Sequence, residues 1–286
     1  MAHATRRLVA PLVLAIAASG CASSHDELET YTIPFTAVVG AEPFDCTKSY
    51  ANIGVEQATI QPQDFRLYVH DVTLVAADGT RVALELENDG VWQRDGVALL
   101  DFETGNGTCT AGTAETRTIV RGKAVHRHDW KRLEFKVGVP ESVNHLDAAR
   151  APAPLNDPGL WWSWSGGFKY ARIDVATPGN PGGFYFHLGA TRCTGAPASG
   201  FTCAAGNVAS VSLDGFDPDA SRVRIDLAAF YRDVAVNAVP DRQADFVAGC
   251  MAFAGDPECP AMMGKLGLAF APSTTAPTQS FFQVVR

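Results

Sequence analysis

Phe65-Arg66-Leu67-Tyr68-Val69-His70-Asp71-Val72-Thr73-Leu74-Val75 alternates with period two, runs into Ala76-Ala77-Asp78-Gly79-Thr80, and returns through Arg81-Val82-Ala83-Leu84-Glu85-Leu86. Successive strand side chains point to opposite faces, so this reads as a strand with one buried face. Asp-Gly between two such runs is a strong hairpin signal. The same texture extends in both directions. Tyr31 to Val39 is rich in β-branched and aromatic residues, and Leu133 to Val137, Phe168 to Val175, Phe184 to Leu188, Val208 to Leu213 and Val223 to Leu227 look similar. Gly, Pro, Asn and Asp punctuate the gaps. Short strands so spaced predict an all-β fold, a β-sandwich or barrel-like single domain with long irregular loops, rather than an α/β fold. Leu227 to Val236 and Gln243 to Met251 are the candidates for a few short helices; Pro272 to Thr278 reads as a loop and Phe281 to Val285 as a closing strand. No repeat, low-complexity tract or clear linker divides the chain.

The first residues read differently. Arg6 and Arg7 precede an apolar run, Leu8 to Ala18, followed by Ala18-Ser19-Gly20-Cys21. That run is shorter than the roughly 20 apolar residues a spanning helix needs, and with its charged start it reads as an export signal over residues 1–20. The small-small-Gly-Cys ending resembles the lipobox of bacterial lipoproteins, in which the cysteine carries the lipid. Ala18 stands where leucine is usual, which keeps plain secretion as the alternative. Residues 21–30 then form the lipidated Cys21 and a polar, acidic tether, and residues 31–286 the β domain. The expected location is the periplasm, with membrane contact through the lipid anchor alone.

Composition narrows the partners. Without Arg6 and Arg7, 21 basic residues face 31 acidic ones, and no basic stripe is present. Nucleic acid and anionic lipid are poor partners for such a chain. Apart from Cys21, the six cysteines Cys46, Cys109, Cys193, Cys203, Cys250 and Cys259 are an even set in an exported chain, without a Cys-x-x-Cys spacing. Disulfides are therefore expected in preference to zinc. Six cysteines allow 15 pairings. Proximity suggests Cys193–Cys203 and Cys250–Cys259, leaving Cys46–Cys109.

Leu160-Trp161-Trp162-Ser163-Trp164-Ser165-Gly166-Gly167-Phe168 places three of the five tryptophans in four positions, after the turn-forming Pro154-Leu155-Asn156-Asp157-Pro158-Gly159. On an extended segment Trp162 and Trp164 share one face and Trp161 takes the other. A packed aromatic corner accounts for the spacing alone. Histidines offer metal chemistry. His70 falls mid-strand, His187 near the end of a strand, and His145 in the irregular run before the tryptophans; each alone reads as structural. His126-Arg127-His128 puts two imidazoles on one face, but Arg127, Asp129, Lys131 and Arg132 around them favour a solvated charged turn. Met251, Met262 and Met263 offer thioethers suited to Cu(I), yet without dense repetition they read as core filler. Asp214-Gly215-Phe216-Asp217-Pro218-Asp219 lacks EF-hand spacing and reads as an Asx turn. No Gly-x-Ser-x-Gly elbow, free thiol or assignable carboxylate pair supports a hydrolase, and the protein is not expected to be an enzyme.

An ordered set of fragments carries a resemblance: Phe44-Asp45-Cys46, Asp64 to Val72, Val97 to Glu103, Gly138-Val139-Pro140 with Asn144-His145, Trp162-Ser163-Trp164, Phe186-His187-Leu188-Gly189 with Cys193, and Gly249-Cys250-Met251 with Cys259. In that order they resemble the MbnP family, the methanobactin-associated periplasmic proteins also known as metallo-mystery pair, four-Cys motif proteins. The resemblance implies a di-haem partner, MbnH, related to MauG. It also implies oxidation of the first tryptophan of the Trp-x-Trp motif to kynurenine, followed by binding of one copper ion as Cu(I). Carried over, the motif marks Trp162 as the modified residue and Trp164 as its second tryptophan. His70, His145 and His187 are then the expected copper ligands, with the modified Trp162 beside them and Met251 in reserve. An indole nitrogen is a donor only, whereas ring opening leaves an aniline nitrogen with an available lone pair, so one oxidation would complete the site. The alternative function is a metal-free lipoprotein β-sandwich that binds carbohydrate or protein through its aromatic cluster.

Overall fold

The computed structural model describes Met1 and residues 27–163, 165–237 and 247–286. Most of the segments expected to be an export signal and a tether, Cys21 and Trp164 lie outside the described residues. Among those described, no helix is long and apolar enough to cross a membrane.

The strands follow in chain order: β1 (Leu28–Val39), β2 (Glu42–Pro43), β3 (Tyr50–Ile53), β4 (Ala58–Ala76), β5 (Arg81–Ala83), β6 (Glu85–Leu86), β7 (Gln93–Arg94), β8 (Val97–Asp101), β9 (Ile119–Val125) and β10 (Trp130–Val137). Then come β11 (Trp161–Ser163), β12 (Gly167–Ala176), β13 (Phe184–Gly189), β14 (Thr191–Ala196), β15 (Gly200–Ala205), β16 (Ala209–Asp214), β17 (Arg222–Asp226), β18 (Gly249–Cys250) and β19 (Phe282–Val285). One sheet runs β19-β17-β1-β9-β6, and a larger one runs β16-β10-β4-β12-β13-β18 with β11 paired to β12; neither closes into a barrel. The two faces meet in one core. Phe135 of the large sheet packs edge-on against Phe35 and Phe282 of the other at 5.7 and 5.1 Å, an arrangement that suits the ring quadrupoles. The alternation of β1 supplies its half of this contact, with Tyr31, Ile33 and Phe35 buried. The expected all-β sandwich is the fold.

The centre of β4 departs from simple alternation: every residue from Asp64 to His70 is buried. One face fills the core, while residues 154–159 cover the other. Tyr68 donates its hydroxyl to the Pro154 carbonyl at 2.9 Å, and Arg66 reaches Asp157 at 2.5 Å. A bulge follows, where the β4–β10 register shifts between Glu134 and Lys136 and Asp71 takes φ +52°. Such bulges bend a strand and re-aim the adjacent side chain, here His70.

Helices differ from expectation. Leu227–Tyr231 forms α1, capped by Asp226, but α2 is Cys259–Lys265. Of the helix expected over Gln243 to Met251, residues 243–246 lie outside the described residues, and Gly249–Cys250 is instead a strand paired in parallel with β13. Packing of an edge segment outweighed its modest helix propensity. All three disulfides join the partners that proximity suggested: Cys46–Cys109, Cys193–Cys203 and Cys250–Cys259.

Candidate functional site

The Pro158–Leu160 turn, capped by the Asp157 side chain, delivers the chain into β11. Trp161 pairs with Phe168 and Ser163 with Gly167, so Trp161 and Trp162 lie on a short strand paired to β12. Trp161 packs against the core. Trp162, on the opposite side of the strand, is half-buried, stacked on Phe253 at 5.9 Å and 25°, with its ring centroid 6.5 Å from that of His187. Gly189 makes this placement possible, because a Cβ there would lie 2.5 Å from Cζ3 of Trp162.

His187 is 7% exposed and sits on β13 opposite Arg172. Its Nε2 lies 2.9 Å from Oδ1 of buried Asp174, while its Nδ1 is buried without a hydrogen-bond partner. A carboxylate on one ring nitrogen fixes the tautomer: Nε2–H donates to Asp174, and the Nδ1 lone pair is left to face another group. This arrangement prepares an imidazole to bind a metal. Met251 follows directly on Cys250, which pairs in parallel with Phe186, the residue before His187. Met262 and Met263 are fully buried core residues.

Beneath His187 runs a ladder of buried charge. Arg172 Nε lies 2.6 Å from Asp174 and 3.1 Å from Asp64, and Arg66 grips Asp64 with bonds of 2.9 and 2.5 Å. Burial pushes the Asp64 carboxyl up, and Arg66 opposes that shift. Burial also lowers Lys169 to about 8, helped by the Arg172 charge. Asp101, beside this ladder, is raised to about 8 by burial and by the Glu103 charge.

His145 takes a different position. It is half-buried on the loop between β10 and β11, its ring stacked on Phe201 at 4.6 Å and its Nε2 3.4 Å from Cys203 Sγ. Asn144 ties that loop to the tryptophan hairpin, accepting from the Phe168 N–H at 3.0 Å. The sulfurs near His145 are bonded to each other, so they supply no thiolate to a metal. The same holds for the groupings of Cys46, Cys109 and Glu103 and of Cys250, Cys259 and Asp256.

His70 is buried on β4, and burial lowers its pKa, keeping it neutral. Its Nδ1 lies 3.3 Å from Asp71 without hydrogen-bond alignment, and its Nε2 is unpartnered. The expectation that His70 shares an ion with His187 does not fit this geometry. His187 is opposite Arg172 and Arg172 opposite Arg66, with His70 four residues further along β4. Two strand spacings and four residue rises separate the two by roughly 15 Å. Side chains stand nearly perpendicular to a sheet, so the rings do not converge. His70 faces a separate cleft with Lys136, Glu141 and Ser210.

Sequence reasoning missed Asp174, Gly189 and Phe253. The signal for the first was present, since Asp64-x-Arg66 and Arg172-x-Asp174 place paired charges on one face of strands that are otherwise apolar.

The MbnP family model matches residues 29–252. Among solved structures, MbnP from Methylosinus trichosporium is similar at 28% identity and a TM-score of 0.79, over 90% of this chain and 98% of that one. A search of curated proteins finds no match.

Proposed function

Because the chain belongs to the MbnP family, we propose that it is an exported, lipid-anchored copper-binding protein of the periplasm, which holds one Cu(I) after Trp162 has been oxidised to kynurenine by a di-haem, MbnH-type partner. It is not itself a catalyst; its work is to hold or deliver copper. The observation that carries this reading is the unpartnered, buried Nδ1 of His187, on a ring held by Asp174 with its centroid 6.5 Å from that of Trp162.

Each residue then has a task. His187 offers an imidazole nitrogen, which suits copper in either oxidation state. The Asp174 carboxylate orients that ring. Met251, one residue beyond the Cys250–Phe186 pair, is the reserve ligand and offers a soft thioether. Trp162, held between Gly189 and Phe253, cannot ligate as an indole; opened to an aniline, it supplies a nitrogen within the same cluster. The lower, half-exposed edge at Phe253 leaves a side from which an oxidising partner would approach. His145, whose neighbour Asn144 accepts from the Phe168 N–H of the same hairpin, remains the further histidine ligand of this reading.

The test is copper stoichiometry after maturation with the di-haem partner. His187→Ala should abolish tight Cu(I) binding, whereas His70→Ala should leave the affinity within a few-fold of wild type. Equal loss in both variants, with both folded, would put His70 in the site and overturn the assignment.

A further inference from the structure

The two histidines of His126-Arg127-His128 are drawn together at the connection between β9 and β10. His126 Nε2 lies 2.9 Å from His128 Nε2, with ring centroids 4.3 Å apart and planes at 86°. On the other side of its ring, His126 Nδ1 lies 2.5 Å from Glu29 Oε2 on the adjacent strand β1. Glu29 sits opposite Ala124 in the β1–β9 ladder, so the pairing register places that carboxylate beside the histidine pair.

These contacts dictate a tautomer. With Nδ1–H donating to Glu29, His126 Nε2 carries a lone pair directed toward His128. A proton between the two Nε2 atoms is then all that joins them, and a cation that accepts nitrogen ligands competes with that proton for the two nitrogen lone pairs. The surroundings do not oppose it: the Arg127 guanidinium is turned onto Asp78 and Asp129, with bonds of 2.8 to 3.0 Å. His126 and Glu29 are both more than two-fifths exposed, so an ion reaches them from solvent without any opening of the fold.

We propose that His126 and His128, oriented by Glu29, form an exposed second metal site that takes a divalent first-row ion, with Cu(II) preferred. The Irving–Williams order selects the ion: two imidazole nitrogens in an exposed pair favour Cu(II) over the other divalent first-row ions, zinc included. Water fills the remaining positions. The site is apart from the tryptophan hairpin: Trp130 is opposite Ala76, whereas the hairpin pairs with Phe168, which the Ala171–Leu67 pairing sets near the level of His70, six residues or about 20 Å of strand away.

The experiment titrates metal-free, unmatured full-length protein with Cu(II), and in parallel with Zn(II), by calorimetry and electron paramagnetic resonance. One equivalent of Cu(II) should give an axial signal with splitting from two nitrogens. That equivalent should vanish in the His126→Ala/His128→Ala double variant and weaken about 10-fold or more in Glu29→Gln, the usual range for loss of an orienting partner. Near-ultraviolet circular dichroism should be unchanged in all three, since the residues are on the surface. An unchanged Cu(II) stoichiometry in the double variant, or splitting from a single nitrogen, would overturn the site; Zn(II) binding as tight as Cu(II) would overturn the choice of ion.

Discussion

Asp174→Asn tests the logic of the Trp162–His187 region at one atom. Asp174 is 1% exposed and accepts from Arg172 Nε at 2.6 Å and His187 Nε2 at 2.9 Å. Asparagine keeps the volume but removes the charge that fixes both neighbours. Leaving a buried ion without its partner typically costs about 3–5 kcal/mol. Arg172 retains Asp64 at 3.1 Å, so the expected loss falls to roughly 2–4 kcal/mol. For a domain of this size that corresponds to a Tm lower by roughly 5–15 °C, at roughly 2–4 °C per kcal/mol. The imidazole should also lose its tautomer control, weakening Cu(I) binding of the matured protein about 10- to 100-fold. Thermal unfolding of the metal-free variant and competition against a chromophoric Cu(I) chelator measure the two effects separately. A folded Asp174→Asn protein with wild-type copper affinity, alongside a His187→Ala protein that has none, would refute the orienting role.

Gly189→Ala should force either the Trp162 ring or the Phe168 backbone to move, since the new Cβ would meet them at 2.5 and 2.8 Å; the expected cost is about 1–3 kcal/mol. Copper loading should fall with it, and unchanged loading would separate Trp162 from the site. Asp101→Asn reports on the charge ladder. The native carboxyl titrates at about 8 against an ordinary 3.8, so folding holds a proton that the unfolded chain releases between those values, and stability falls as pH rises through that window. The gain in Tm on substitution should therefore grow from pH 5 to pH 9; a constant difference would contradict the burial of that charge.

How far the sequence carried the fold can be read from particular strands. Alternation placed β1, β10, β12 and β13 because each has one face in the core, and Asp78-Gly79 placed the turn after β4. The continuous burial of Asp64 to His70 was hidden, since its second cover comes from residues 154–159, some ninety positions away. Gly249–Cys250 was misread as helical because its strand character comes only from pairing with Tyr185 and Phe186. At the site, residue types suggested imidazole, thioether and tryptophan, but not which of them meet. His70 and His187 look equivalent in sequence; only the β4–β12–β13 register separates them. The opposite placement of Trp161 and Trp162 did follow from strand alternation alone.

The central claim is that Trp162 becomes a copper ligand by oxidation, and mass mapping of the tryptic peptide 151–169 after co-production with the di-haem partner tests it most directly. The prediction is the loss of one carbon and gain of one oxygen at Trp162, with one Cu(I) bound per modified chain and none in folded Trp162→Phe. An unmodified Trp162 in protein that binds copper, or Trp162→Phe binding copper as tightly as the matured wild type, would contradict it.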